Sequence, residues 1–188
     1  MHNEVNSEIA QKIKEVLSIF DKVGVASKDS VVSAPAEYHP KNFLEDFNSA
    51  IVFAQGNLDG DSNDMGGFSD YLATISAQVE AVNYLESLGY KAVIVDGTAT
   101  DISLVQMGVA AAVGELSPVN SLLVRGFGLT ATLGAIITDA VLAADEKVEN
   151  ICTRCDMCLS VCQIRDEAYA EGDLSICGCG ACYNICPE

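Results

Sequence analysis

ICTRCDMCLSVC at residues 151–162 and ICGCGACYNICP at residues 176–187 hold all eight cysteines of the chain. Cys152, Cys155, Cys158 and Cys162 read CxxCxxCxxxC. Cys177, Cys179, Cys182 and Cys186 read CxCxxCxxxCP. Three thiolates at i, i+3 and i+6 let a tight loop wrap one cube of iron and sulfide. In two-cluster ferredoxins the fourth cysteine ligates the other cluster. The spacing therefore predicts one [4Fe–4S] cluster on Cys152, Cys155, Cys158 and Cys186. It predicts a second on Cys177, Cys179, Cys182 and Cys162. Gln163 replaces the usual proline after the first quartet, and the second opens CxC rather than CxxC. Such an altered loop allows a [3Fe–4S] form.

Other uses of eight cysteines fit less well. A disulfide scaffold spreads them along an exported chain, and here they occupy one end. Zinc ribbons pair two CxxC motifs and have no use for a third cysteine at i+6. A thioredoxin-like pair needs one CxxC. Burial and nearby anions both disfavour an added electron, so a couple near about −400 mV is expected.

Upstream, the chain reads as an α/β domain with a mixed sheet over residues 1–147, followed by a ferredoxin-like module over 148–188. Ile9, Ile13, Val16, Leu17 and Phe20 recur with helical period. Asn42–Phe47 is expected as a short helix, Ser49–Ala54 as a buried strand and 57–69 as a loop. Asp70–Leu88 follows as a helix closed by Gly89, then a strand over Lys91–Val95. Asp101–Val113 is expected as a helix, and Leu122–Val124 and Leu133–Thr138 as strands.

Charge and hydropathy set the partners. The 188 residues carry 10 Lys+Arg against 27 Asp+Glu, a net charge of −17. Between residues 42 and 146 only Lys91 and Arg125 are basic. A polyphosphate partner normally requires a basic face, so no nucleic-acid partner and no anionic membrane are expected. The uncharged runs Ile102–Gly114 and Gly126–Thr138 span 13 residues each, whereas a membrane helix needs about 20. Charges interrupt the N-terminal stretch, so no leader is expected, and the reading is cytoplasmic.

Weaker signals remain. The loop from Asp59 to Asp64 resembles a Ca²⁺ loop, but Asp64 stands where that loop needs glycine. His39, before Pro40, reads as a surface residue preceding a helix. Asp96 and Asp101 flank the turn after a strand, where α/β sheets bind ligands. They are the candidate proton donors, with helix capping as the simpler account. Arg125 is a candidate anion or cofactor anchor, or else a salt-bridge partner of Glu115.

The stretches YHPKNFLEDFNSAIVFA, YLESLGYKAVIV and FGLTATLGAIITDAVLAAD, followed by the cysteine octet, resemble the epoxyqueuosine reductase and reductive dehalogenase family. The resemblance covers roughly residues 38–188. It implies a nitroreductase-like domain, a Gly-bearing hairpin over Phe127–Asp145, and a corrinoid beside two [4Fe–4S] clusters. Gly126, Gly128 and Gly134 would then allow close approach to a flat cofactor. Nitroreductase-like domains often pair, so a homodimer is an expectation by analogy.

Three functions stay open. The first is an iron–sulfur protein passing electrons to a redox partner protein or small-molecule acceptor at the α/β domain. The second is a corrinoid-dependent or small-molecule reductase. The third is a cluster-stabilised interaction subunit. Anaerobic reconstitution is expected to give about eight iron and eight sulfide per chain, the content of two cubes. Two tightly bound zinc ions in their place would overturn the iron–sulfur reading.

Overall fold

The computed structural model describes residues 2–31, 36–56, 65–97, 99, 102–162 and 180–188. Two strands form its centre, β2 (Ser49–Gln55) and β6 (Thr132–Thr138), paired antiparallel over seven residues from Ser49↔Thr138 to Gln55↔Thr132. On the outer side of β2 lies β1 (Lys22–Ser27), and outside β6 lies β3 (Ala92–Val95). The order is β1-β2-β6-β3. The sheet expected to be mixed is antiparallel across all of these pairings.

Alternation assigns the two faces. Ile51, Phe53, Val25 and Ile136 point into one apolar cluster with Ile9, Ile13 and Leu17. Those last three come from α1 (His2–Val16) and the turn after it, and Ala81 and Leu85 come from α2 (Met65–Ser87). Ala50, Val52, Ala54, Ala135 and Ile137 face the other way, against Met107, Ala110 and Ala111. These belong to α3 (Leu104–Ala110) and its end. The result is a three-layer α/β domain whose central strands are covered on both faces. No helix among the described residues is long and apolar enough to cross a membrane.

Several boundaries depart from the sequence reading. Helix α2 begins at Met65 rather than Asp70. The sequence places Gly66 and Gly67 in the loop, and their poor propensity is overridden by the packing of the helix that follows. Residues 57–64, including the Ca²⁺-like loop from Asp59, lie outside the described residues. Asn42–Phe47 is not a helix. Pro40 opens a single 3-10 turn, Pro40–Asn42, capped by His39 Nδ1, which accepts from Lys41 N at 3.2 Å. Helix α3 is shorter than Asp101–Val113, and it stops where Ala112 turns left-handed, φ 62°.

Strand β1 had no clear signal, because KVGVAS does not alternate. Its Gly24 lies under the C-terminal end of α3. A Cβ there would meet Ala111 O at 1.8 Å. A further short ladder pairs β4 (Glu115–Leu116), which has no sequence signal, with β5 (Leu122–Leu123), the centre of the strand expected over Leu122–Val124.

Phe127–Asp145 is not a hairpin. Its centre is the single strand β6, after which the chain crosses to the far edge of the sheet. There Asp145 N donates to Val25 O at 2.9 Å, and Asp145 Oδ2 accepts from Val25 N at 2.8 Å. Lys14 Nζ of α1 reaches the same carboxylate at 2.6 and 2.7 Å. This knot closes the β1 edge and directs the chain toward the cysteines. Asp145→Ala is expected to lower the unfolding free energy by about 1.5–3 kcal/mol, the range for hydrogen bonds to a charged group. Urea unfolding reads it, and an unchanged midpoint would count against this role.

Candidate functional site

The cysteine loop owes its shape to backbone curvature. Asn150, Arg154 and Asp156 all have left-handed φ, at 62°, 56° and 59°. Asn and Asp tolerate that region, whereas for Arg it costs conformational energy. These reversals curl residues 150–156 before a short helix, α4 (Met157–Val161), takes over. Cys152, Cys155 and Cys158 consequently line one pocket. The chain's far end brings Cys186 to the same walls, with Leu123 and Leu129 beside it. The quartet assigned from spacing to one cluster is thus the quartet lining the pocket.

Electrostatics support their closeness. Burial pushes the Cys158 thiol up. A backbone N–H at Leu159 works in the opposite direction, and the charges of Cys152 and Cys186 push it up further. Thiolates collected this way repel one another until a cation compensates them. Among the described residues, no three or more His, Cys, Asp or Glu side chains converge on a single metal-ion position. Of the second quartet, Cys162 ends α4 and Cys182 is buried in the apolar cluster of Leu123, Leu129 and Ile151. Cys177 and Cys179 lie outside the described residues.

Glu115 holds the entry to this loop. Its Oε2 accepts from Ile151 N at 2.8 Å and Cys152 N at 3.1 Å, and its Oε1 accepts from Arg154 at 3.4 Å. The alternative pairing of Glu115 with Arg125 is not found; Arg125 donates weakly to Asn150 O, at 3.4 Å.

A second concavity adjoins the first. A cavity of about 660 Å³ lies beyond the end of β3, bounded by the first turn of α3, the turn before β5 and the entry to β6. Tyr38 and Tyr183 close its sides. Its described walls are aliphatic or neutral and polar, with Gln106, Asn120 and Thr130 offering hydrogen bonds and no charged side chain among them. Leu129 lines both this cavity and the four-cysteine pocket. Tyr183, one residue after Cys182, packs with Leu129 and the cysteines.

The other candidates fall in different places. Asp96 directly follows β3 and precedes Gly97, which lines the cavity, and its carbonyl accepts from Ala99 N. Asp101 lies outside the described residues. His39 caps its 3-10 turn and meets Phe47 edge-on, with ring centroids 6.1 Å apart. Gly126 and Gly128, with φ of 84° and 59°, form the tight turn in which Val124 N bonds to Gly128 O. A Cβ on Gly128 would come within 2.9 Å of Glu188 O, so it admits the C-terminal segment. Gly134 lies opposite Phe53 in the sheet, where a Cβ would meet the ring at 2.4 Å. That ring stacks on Phe20 at 4.3 Å, on the face turned away from α3.

No known family model matches the chain, and no curated protein sequence does. Solved structures do match. Epoxyqueuosine reductase from Streptococcus thermophilus aligns over 100% of this chain at TM-score 0.66 and 16% identity. The Bacillus subtilis enzyme, with its catalytic loop swung out of the active site, gives 0.66 at 15% identity. The fold is that of epoxyqueuosine reductase. The chain spans 66% of the length of each of these reductases. A reductive dehalogenase, in a structure suggesting a mechanism for B12-dependent dehalogenation, aligns at TM-score 0.55 and 17% identity. That alignment covers 88% of this chain and 25% of the dehalogenase. The resemblance read from the hairpin segment and cysteines therefore agrees with the structural neighbours.

One neighbour corrects a partner expectation. An epoxyqueuosine reductase aligned over 86% of this chain, at TM-score 0.62 and 16% identity, holds an epoxyqueuosine-modified tRNA stem loop. The expectation of no nucleic-acid partner, drawn from the charge of −17, is overturned. A whole-chain sum averages over surfaces, and nucleic-acid binding depends on the local distribution of charge.

Glu115, Leu129 and Tyr183 were missed in the sequence. Glu115 precedes Cys152 by 37 residues, and no spacing links them. Gly134→Ala is expected to destabilise the domain by about 1–3 kcal/mol through overpacking against Phe53. Thermal unfolding with an unchanged midpoint would return Gly134 to the cofactor candidates.

Proposed function

We propose that this chain is an iron–sulfur reductase domain that delivers electrons to an acceptor in the cavity between β3, α3 and β6. The supporting observation is the wall shared by the two concavities: Leu129 lines the four-cysteine pocket on one side and the cavity on the other. Cys152, Cys155, Cys158 and Cys186 would hold one [4Fe–4S] cluster, and Cys162, Cys177, Cys179 and Cys182 the second. Such clusters supply single electrons at a potential set by burial and hydrogen bonding. Residues 148–188 form the cluster-bearing module in this reading, and residues 1–147 the acceptor-binding domain.

The chain's own residues supply position and insulation. Leu123 and Leu129 keep the cysteine pocket apolar, which sustains the interactions of the thiolates within it. Tyr183 ties the cysteine segment to the cavity wall. Gln106, Asn120 and Thr130 present neutral hydrogen-bonding groups to the acceptor.

A corrinoid is the second reading, favoured by the B12-dependent dehalogenase among the structural neighbours. The cavity suits its amide arms, since Ser, Thr, Asn and Gln line it; no described lining residue offers a cation for its phosphate. Cob(II)alamin titrated into the reconstituted protein and followed by EPR separates these readings. Retained cobalt that is lost in Ala131→Trp, which fills the cavity, would establish the corrinoid site. Cobalt that never binds would leave delivery to another acceptor. A chain that takes up no iron would overturn both.

A further inference from the structure

We propose that Glu115 is the positioning residue for the first cluster, holding the cysteine loop against the wall that the cluster faces. The inference rests on the iron–sulfur reading above. It begins with the β4–β5 ladder, in which Glu115 pairs with Leu123. Leu123 is a wall of the four-cysteine pocket, and Cys152 is another. One residue therefore joins both. Its backbone is registered to the wall, and its carboxylate accepts the amides of Ile151 and Cys152.

The geometry is that of a clamp. A single oxygen, Oε2, takes both amides, at 2.8 and 3.1 Å, and the other oxygen faces Arg154. The Glu115 side chain is 17% exposed, whereas that of Arg154 is 69% exposed. The amide bonds therefore form the sheltered part of the clamp, and the arginine contact is a screened surface pair worth little. Ile151 is 2% exposed and packs with Leu123 and Leu129, so the clamped segment is also anchored apolarly.

Two consequences follow for a bound cluster. The start of the loop is fixed before the metal arrives, which lowers the ordering cost of binding. The Cys152 amide is also committed to a carboxylate and is not free to donate to sulfur. Donation to sulfur and nearby charge are both levers on cluster potential. The clamp removes one donor and adds one negative charge, and both changes favour the oxidised form.

Two variants divide the roles. Glu115→Ala removes the clamp. Glu115→Gln keeps an oxygen for the two amides and removes the charge. After anaerobic reconstitution, Glu115→Ala is expected to release iron to a chelator about 10- to 100-fold faster, the usual cost of losing an outer-shell partner. The fast phase should involve half of the iron, because Glu115 clamps the loop of one quartet. Glu115→Gln should release iron at a rate close to that of the parent, with one cluster at a higher potential in an EPR-monitored redox titration. Parent-like release in Glu115→Ala would overturn the positioning role, as would fast loss of all the iron. If Glu115→Ala does not fold, an unshifted potential in Glu115→Gln overturns it alone. A parent that loads no iron would instead overturn the underlying iron–sulfur reading.

Discussion

Everything in this domain is placed by the pairing of β2 with β6. The two strands share seven paired positions and are buried on both faces, so a slip of one residue would exchange the two apolar clusters. The α1 and α2 layer takes Ile51, Phe53 and Ile136; the α3 layer takes Val52, Ala135 and Ile137. The cavity forms where β6 begins and β3 ends, on the α3 side. The exit of β6 sends the chain across the sheet, to Asp145 on the β1 edge and then to the cysteines. One register thus fixes the cavity, the crossing and the loop.

The parts legible in the sequence were those with a local signature. SAIVFA reads as a buried strand because it is an unbroken apolar run, and it is one. The periodic apolar stripes gave α1 and most of α2. The cysteine spacing named four residues that do line one pocket. The parts that stayed hidden depend on contacts between distant segments. KVGVAS becomes a strand because β2 needs a neighbour and Gly24 admits Ala111, and neither fact is local. Glu115 looks like any solvated acid until the fold brings Ile151 and Cys152 to it. Gly134 looked like a residue for close cofactor approach, whereas its space is taken by Phe53.

Charge shows the same limit from another side. Counting acids and bases described the chain correctly, yet it failed as a guide to partners, since a protein of the same fold holds a tRNA stem loop. Surface chemistry is local, and a sum over 188 residues erases it. The salt-bridge alternative for Arg125 gives way for a related reason. Glu115 was considered as its partner, but the curled cysteine loop brings Arg154 there in its place.

The three left-handed residues of that loop constrain its variation more than its chemistry suggests. Asn150, Arg154 and Asp156 carry no thiol, and by residue type they look freely exchangeable. Their φ values admit glycine, asparagine or aspartate with ease and penalise valine, isoleucine or threonine. Sequence drift between the cysteines is therefore filtered by backbone shape as well as by the thiols. A designer grafting this loop onto another scaffold would need to carry those three positions along with the four cysteines.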